Sequence, residues 1–179
     1  MTTLNGTRIV LRPIRDDDAQ ALLEGTTNPT TRRLTGTQVQ FTLEQIHQYI
    51  RNRAVQDDRA TFIIALPDDD TPRGEIVLMD IDDDNRSASV RNGLFRDEDF
   101  GKGYGTEALR LVLDYAFPTF NLHRISLEVF DFNPRAIHVY EKLGFKREGV
   151  QRDALFYDGE FHDSIMMGIL EDEWQSTKS

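Results

Sequence analysis

Cysteine is absent from the 179-residue sequence. Its absence excludes disulfide bonds, thiolate metal ligands and a cysteine nucleophile, and it is typical of proteins of the reducing cytoplasm. Long hydrophobic runs are missing too, since no apolar stretch approaches the roughly 20 residues of a membrane-spanning helix. The opening stretch, MTTLNGTRIVLRPI, lacks the charged-then-apolar pattern of a secretory signal. We therefore expect a cytoplasmic protein without a membrane partner.

Positive charge is scarce. Lysine and arginine number 21 against 31 aspartates and glutamates, so the formal net charge is −10. A surface of this sign repels phosphodiester backbones, so we expect no nucleic-acid partner. It would attract a cationic substrate such as an amine, although many soluble proteins are acidic for solubility alone. The charge leaves both explanations of the acidic surface open.

Hydrophobic periodicity divides the chain into strands and helices. Alternating or β-branched runs predict strands, and apolar residues three and four positions apart predict helices. Strands are predicted at 7–14, 60–66, 74–81, 87–95, 123–130, 145–151 and 161–170, and helices at 15–26, 42–56, 106–117 and 133–144. Residues 26–41 lack periodicity and are interpreted as a loop. No linker or repeat divides the chain, so we expect a single α/β domain over residues 1–179.

Capping residues mark several of these boundaries. Thr42 is a candidate N-cap for the second helix, and Pro118 is expected to end the third. The fourth helix has Asn133 at its N-cap, Pro134 at its first position and Gly144 just past its end. The strands between residues 60 and 95 are expected to form an antiparallel meander with acidic turns.

Acidic and imidazole side chains do not show the spacing of a metal site. Three Asp triplets, at 16–18, 68–70 and 82–84, lack the D-x-[DN]-x-[DN]-G-x₅-E pattern of a calcium loop, so we interpret them as solvated turns. The four histidines, at positions 47, 123, 138 and 162, are not spaced as zinc ligands either. We expect no metal.

Residues 100–109, FGKGYGTEAL, place three glycines directly before a predicted helix. Glycine leaves backbone N–H groups uncovered, and a helix N-terminus adds unpaired donors and partial positive charge. Together they predict an anion cradle, typically for phosphate or pyrophosphate. The spacing is not that of a P-loop, and Thr106 occupies the place of the last glycine in G-x-G-x-x-G. By itself the loop could also be a tight turn that caps a helix.

Two longer stretches, DEDFGKGYGTEALRLVLDYAF and LHRISLEVFDFNPRAIHVYEKLGFKREG, resemble the GNAT N-acetyltransferase superfamily, over about residues 86–170. RIVLRPIRDDDAQALLEG resembles the start of the branch with ribosomal-protein N-terminal acetyltransferases and spermidine acetyltransferases. The resemblance implies acetyl-CoA as acetyl donor, with a cofactor-binding core at about residues 86–150. It also implies a mixed, mostly antiparallel sheet of six or seven strands with a splayed parallel pair and about four flanking helices.

The resemblance implies roles for individual residues at the cofactor. In the family, backbone N–H groups of the loop bind the pyrophosphate, and the pantetheine arm lies between two splayed strands, here 87–95 and 123–130. Phe100 stands where the family pattern has Gln or Arg. The residues expected to bind the cofactor are Leu94 and Phe95 near the acetyl group, the run Phe100, Gly101, Lys102, Gly103, Tyr104, Gly105 and Thr106, and Asn133.

Tyr140 stands where related enzymes place a tyrosine near the cofactor sulfur, so it is expected to assist the departing thiolate by donating a hydrogen bond or a proton. Without cysteine, direct attack by the amine in a ternary complex is the simplest route. Relatives often carry a glutamate general base where this chain has Ser89. Glu75, Asp80, Glu128 and a water chain are the candidate substitutes, and the sequence does not choose among them.

The acceptor is expected to meet residues 25–60 and 156–163, because these lie outside the cofactor motifs. The resemblance leaves a small amine or polyamine and a peptide N-terminus open as acceptors. A non-catalytic acyl-CoA-binding or sensing domain is the alternative to an enzyme. A homodimer is a further expectation.

Overall fold

A computed structural model describes residues 2–53 and 55–179. Within these ranges the strands are β1 (Leu4–Asn5), β2 (Val10–Pro13), β3 (Ala60–Ala65), β4 (Pro72–Asp82), β5 (Ser87–Leu94), β6 (Arg124–Phe130), β7 (Lys146–Tyr157) and β8 (Glu160–Leu170). The α-helices are α1 (Ala19–Thr27), α2 (Pro29–Thr35), α3 (Leu43–Arg53), α4 (Tyr104–Thr119), α5 (Pro134–Leu143) and α6 (Glu171–Ser176). Two short 3₁₀ helices span Asp16–Asp18 and Asp97–Asp99.

The strands form one mixed sheet in the order β1–β2–β3–β4–β5–β6–β8–β7. Neighbours are antiparallel except β5 and β6, which run parallel and pair only from Ser87 with Arg124 to Ser89 with Ser126. Beyond that point the two strands separate. The predicted fold class and its splayed parallel pair are confirmed, with eight strands instead of six or seven and six α-helices instead of four in the described ranges.

Two hydrophobic cores lie on opposite faces of the sheet. Successive residues of a strand point to opposite faces, and Phe62 and Ile64 of β3 pack into the larger core with α4, α5 and α6. Ile63 and Ala65 of the same strand pack into the smaller core with α1 and α3. We call these faces the α4 side and the α3 side. Residues of β4, β5 and β6 therefore alternate between them.

Helix α2 lies in the segment that the sequence predicted to be a loop. The Asn28 side chain accepts a hydrogen bond from Thr31 N at 2.9 Å, Pro29 occupies the first helical position, and Gly36 ends the helix at φ 67°. No residue of α2 is buried. The helix thus lacks an apolar stripe, and its capping residues were the only sequence signal.

The strand predicted at 7–14 is divided into β1 and β2. The Glu107 carboxylate of α4 accepts hydrogen bonds from the backbone N–H groups of Thr7 and Arg8, the latter at 2.9 Å. Those two amides are therefore turned away from strand pairing. A contact with a helix a hundred residues away overrides the local preference for an extended strand.

Several other boundaries differ from the prediction. Helix α1 continues past Gly25, which is buried, to Thr27. Helix α4 begins at Tyr104 and ends one residue after Pro118, because a proline in the last turn removes few hydrogen bonds. Strand β7 runs to Tyr157, beyond the predicted residue 151, and α6 was not predicted. The end of the predicted helix at 42–56 includes residue 54, which lies outside the described residues.

The predicted caps of the other two helices are confirmed. Gln45 N donates to Thr42 Oγ1 at 3.2 Å, and Thr42 N donates to Gln45 Oε1 at 2.9 Å, a reciprocal capping box. Asn133 Oδ1 accepts from Ala136 N at 3.2 Å, and Gly144 ends α5 at φ 105°. The Asn133 cap directs α5 toward the site described below.

The Asp triplets are not all solvated turns, contrary to the sequence interpretation. Asp18 is buried and accepts two hydrogen bonds from the Arg12 guanidinium, at 2.8 and 2.9 Å. Asp70 pairs with the same guanidinium at 2.6 Å and with Arg15 at 2.7 Å. Arg12 on β2 therefore pairs with residues of two Asp triplets that look like surface charge in the sequence.

Among the described residues, no helix combines the length and apolarity that crossing a bilayer requires.

Candidate active site

The separation of β5 from β6 opens a cavity of about 910 Å³. On one edge β5 stays paired with β4 as far as Leu94, while β6 has turned away. Helix α2, the loop 97–106 and the start of α5 complete the walls. Backbone N–H and C=O groups need hydrogen-bond partners, and the β5 edge beyond Ser89 faces the cavity instead of a strand. An extended ligand could pair with this edge as a strand would.

The glycine loop has the backbone geometry that an anion cradle requires. Gly101 and Gly103 adopt φ of 82° and 83°, a region that favours glycine, and Gly103 is the N-cap of the 16-residue helix α4. A Cβ on Gly101 would lie 3.0 Å from Arg135 Nη2, and one on Gly103 would lie 3.2 Å from Arg8 Nη1. Two guanidinium groups therefore border an exposed backbone at a helix N-terminus. Both features attract a phosphate.

Asn92 joins β5, α4 and α5 at the edge of the cavity. Its Nδ2 donates to Gly105 O at 3.2 Å, and the Tyr140 hydroxyl lies 3.5 Å from its Oδ1. Burial raises the pKa of Tyr140 to about 12, so the phenol stays protonated at neutral pH and is a donor. Sequence reasoning missed Asn92. The available signal was a polar residue on the α4 side of β5, between the core residues Val90 and Leu94.

Most of the predicted cofactor residues line this cavity: Leu94, Phe100, Gly101, Gly103, Tyr104, Gly105, Thr106 and Asn133, together with Tyr140. Lys102 lies in the same loop, is exposed, and does not contribute to the lining. Phe95 lies outside the lining, contrary to expectation. Its ring packs in the smaller core against Gly25, and its N–H donates to Arg73 O at 2.9 Å. The chain leaves β5 after Leu94, which turns Phe95 away from the cavity.

Acidic side chains lie at the α3 side of the cavity. Asp80 lies in a bulge of β4 with φ 54°, and Glu128 on β6 is exposed and 3.5 Å from the Ser164 hydroxyl. Both line the cavity, as does Arg91. Ser89, where relatives often carry glutamate, lies at the closed end of the gap with its Oγ 3.3 Å from Ser126 Oγ. A serine in this place is not a base by itself.

Glu75 is the remaining acid of the α3 side and is half-buried under α3. The Tyr49 hydroxyl donates to its Oε1 at 2.5 Å. Burial raises the pKa of Glu75, although the hydrogen bond from Tyr49 and the charges of Arg91 and Arg53 act in the opposite direction. In the sheet Glu75 is directly opposite Gly93 of β5. It is thus a neighbour of the cavity wall.

Comparison with known proteins identifies the family of the chain. The acetyltransferase (GNAT) domain matches residues 8–146. The chain belongs to the GNAT acetyltransferase family. A spermidine N(1)-acetyltransferase of Vibrio cholerae is 32% identical over 131 residues, which cover 73% of this chain and 70% of that protein. The uncharacterized N-acetyltransferase p20 of Bacillus licheniformis is 29% identical over 178 residues, covering 97% and 99%.

Solved structures agree on the fold. The crystal structure of spermidine N-acetyltransferase from Vibrio cholerae in complex with CoA and spermine superposes with a TM-score of 0.88, at 24% identity over 95% of this chain and 99% of that one. This GNAT enzyme transfers the acetyl group of acetyl-CoA to an amine. Acetyl-CoA supplies an activated acetyl thioester.

The GNAT cavity fits an acyl-CoA. The glycine loop leaves room where any Cβ would approach Arg135 or Arg8, and the separated edge of β5 can pair with a pantetheine amide. Asp99 also lines the cavity and is fully buried, which is unusual near an anion. Arg73 Nη1 lies 3.1 Å from its Oδ1, and burial raises the pKa of Asp99 despite that charge. The contact with Arg73 and the raised pKa both reduce the negative charge that Asp99 places beside the glycine loop.

Replacing Gly103 by aspartate is predicted to abolish most acetyl-CoA binding. At φ 83° a Cβ is strained, and a carboxylate would stand among the N–H groups meant for a phosphate. Losing hydrogen bonds to a charged group costs about 1.5–3 kcal/mol, so the affinity measured by calorimetry should fall by about 10- to 100-fold or more. The matched control is Gly159→Asp, at φ 79° in open space of the β7–β8 turn, which should bind like the wild type. Unchanged affinity in a folded Gly103→Asp protein would overturn the assignment.

Proposed function

We propose that this GNAT enzyme acetylates a polyamine by direct attack of its primary amine on acetyl-CoA held between β5 and β6. The observation that carries the proposal is the lining of the cavity, where the glycine loop offers backbone N–H groups beside Arg135 and the α3 side offers the carboxylates of Asp80 and Glu128. The first suits a phosphate-bearing donor and the second a cationic acceptor. Direct attack is the simplest route, because the chain has no cysteine to form an acyl-enzyme.

The donor site is assigned to the loop and the open strand edge. Backbone N–H groups of residues 101–106 bind the pyrophosphate, with Arg135 and Arg8 contributing charge at either end of the loop. The pantetheine arm pairs with β5 beyond Ser89. Asn133 caps α5 and faces the same cavity, so it contributes to both the helix and the ligand. Phe95 is left out of this site because of its packing in the smaller core.

Tyr140 is assigned to the departing sulfur. Its pKa of about 12 exceeds that of an ordinary thiol, about 8.5, by roughly 3.5 units. Complete proton transfer from the phenol to the thiolate is therefore unfavourable by about 5 kcal/mol. The phenol instead stabilises the thiolate as a hydrogen-bond donor, a contribution that appears as negative charge develops on sulfur.

The acceptor site is assigned to Asp80 and Glu128. Their Cα positions are offset by two strand spacings across the sheet and by three residue steps along it, on the order of 14 Å in all, because Asp80 on β4 and Glu128 on β6 lie in opposite directions from the level of Ser89. Two carboxylates at this separation suit an acceptor with more than one ammonium group. Arg91 lies between them and keeps the negative charge in two places. The Vibrio cholerae relative named as a spermidine N(1)-acetyltransferase supports the same acceptor class.

The second acceptor class, the peptide N-terminus, stays a prediction, as do the homodimer and the cytoplasmic location. A peptide N-terminus carries a single ammonium group, which makes less use of two carboxylates. A homodimer would be supported by β7, an edge strand that is almost entirely exposed and carries the exposed Val150 and Phe156. A cytoplasmic location rests on the cysteine-free sequence.

Tyr140→Phe is predicted to lower kcat by about 100-fold while leaving acetyl-CoA affinity within about twofold. The hydroxyl acts only as the thiolate forms, so its loss belongs to the transition state, and the ring continues to pack against Phe145. Steady-state kinetics with saturating amine and calorimetry measure the two effects. Tyr115→Phe, which removes a hydroxyl from an aromatic cluster on α4, should leave both unchanged. A loss confined to KM in Tyr140→Phe would make Tyr140 a binding residue only.

An amine panel tests the acceptor class. Release of free CoA thiol should be fastest with spermidine and spermine, slower with Ala- and Ser-initiated peptides, and slowest with acidic peptides. Asp80→Asn and Glu128→Gln should each raise KM for spermidine by about 3- to 5-fold, the value of a partly exposed ion pair, with little change for a monoamine. A preference for acidic acceptors would contradict the assignment. No turnover on any amine, despite acetyl-CoA binding, would contradict the proposed function itself.

A further inference from the structure

Glu75, one of the candidate bases, lies beside the proposed reaction centre. Tyr140 and Asn92 mark where the thioester sulfur lies, since the Tyr140 hydroxyl is 3.5 Å from Asn92 Oδ1. Gly93 follows Asn92 and points to the opposite face, the α3 side. Glu75 is the cross-strand partner of Gly93. Directly opposite residues have Cβ positions about 5 Å apart, so the carboxylate is one side chain away from the acceptor face of β5.

Glu75 does not itself line the cavity, but at Gly93 no side chain of β5 stands between them. A Cβ on Gly93 would meet only one atom within 4 Å, Thr35 Cγ2 of α2 at 3.9 Å. Gly93 itself lines the cavity. An amine nitrogen entering from the α3 side can therefore occupy the place of the missing side chain, between the open edge of β5 and the Glu75 carboxylate.

We propose that Glu75 is the general base that deprotonates the acceptor amine, oriented for this task by the hydrogen bond from Tyr49. The inference rests on the proposed function. The acceptor enters as an ammonium ion and gives one proton to the Glu75 carboxylate. The neutral nitrogen attacks the acetyl carbon, a C–N bond forms and the C–S bond breaks. The second proton of the nitrogen goes to the CoA sulfur, and Glu75 releases its proton to water.

The other acids fit this role less well. Ser89 carries no base, and three residues of strand, about 10 Å, separate it from Asn92. Asp80 and Glu128 are both exposed; Asp80 lies toward that closed end of the gap, and Glu128 lies on β6, on the far side of the gap from β5. Glu75 alone among the three acids is half-buried and held by a short hydrogen bond from another side chain. In this chain the proposed base is thus Glu75 on β4, in place of a base at position 89 of β5.

The surroundings of Glu75 set its titration. Tyr49 and Arg53 face it from α3, Arg91 from β5, and the uncharged Ile63 is its partner on β3. Burial raises the pKa of Glu75 above its ordinary value, which brings the carboxylate closer to the neutral range where a general base is most effective. Below that pKa the carboxyl is protonated and cannot accept the proton. The rate should therefore fall as pH drops through it.

Glu75→Gln tests the proposal through its pH signature. At pH 7 kcat/KM for spermidine should fall by about 100-fold, with unchanged acetyl-CoA affinity. The deficit should shrink toward pH 10, because free amine then no longer needs a base. Glu75→Asp should restore part of the activity. Glu44→Gln, at the exposed start of α3, the helix that carries Tyr49, is the matched control and should behave like the wild type.

Tyr49→Phe provides a second variant and a readout without turnover. The Tyr49 hydroxyl stabilises the ionised carboxylate, so its removal should raise the pKa of Glu75 further. A ¹³C NMR titration of the Glu75 carboxyl should show a midpoint above that of an exposed glutamate, which moves higher in Tyr49→Phe. The acidic limb of kcat/KM should move with it.

Two results would overturn the inference: a Glu75→Gln deficit that is the same at all pH values, or wild-type kinetics in that variant. If the wild type turns over amines and Glu75→Gln does too, only the role of Glu75 fails. If the wild type turns over no amine, the proposed function fails and the inference fails with it.

Discussion

The site depends on one break in backbone pairing. Strands β5 and β6 share three residue pairs and then separate, although each continues for several residues. Unpaired backbone groups in a sheet interior are costly, so such a gap needs a ligand or water to complete it. The surrounding sheet stays intact because β4 holds the other edge of β5 and β8 holds that of β6. The acyl-CoA slot that we propose for this GNAT enzyme is thus a strand position left open.

The groups proposed for the donor and for the acceptor also lie on opposite faces of the sheet. Strand alternation sends Asn92 toward Tyr140 and the glycine loop, whereas Gly93, one residue later, opens toward Glu75 on the other face. Donor and acceptor can then approach the same peptide from opposite sides. The glycine loop adds backbone N–H groups and the Arg135 guanidinium on the donor side, and Asp80 and Glu128 add carboxylates on the α3 side. A ternary complex needs no large movement in such an arrangement.

Local patterns in the sequence predicted the features that are local in the structure. The glycine loop and the cap of α5 are contiguous, and both were recognised. Helix α2 carries the same cap, Asn28–Pro29, as α5 does at Asn133–Pro134, but it buries no residue and so lacked periodicity. The pairings of Tyr140 with Asn92 and of Tyr49 with Glu75 join residues 48 and 26 positions apart. Only the folded sheet brings them together, which explains why the sequence did not identify the base.

Hydrogen exchange of backbone amides, with and without acetyl-CoA, tests most directly whether the gap between β5 and β6 is the donor slot. Acetyl-CoA should slow exchange in two segments, residues 90–94 of β5 and residues 101–106 of the glycine loop, because their N–H groups gain partners from the ligand. Segments in β2 and β3 should be unaffected. Protection confined to other parts of the chain, with residues 90–94 exchanging as fast as in the free protein, would contradict the account.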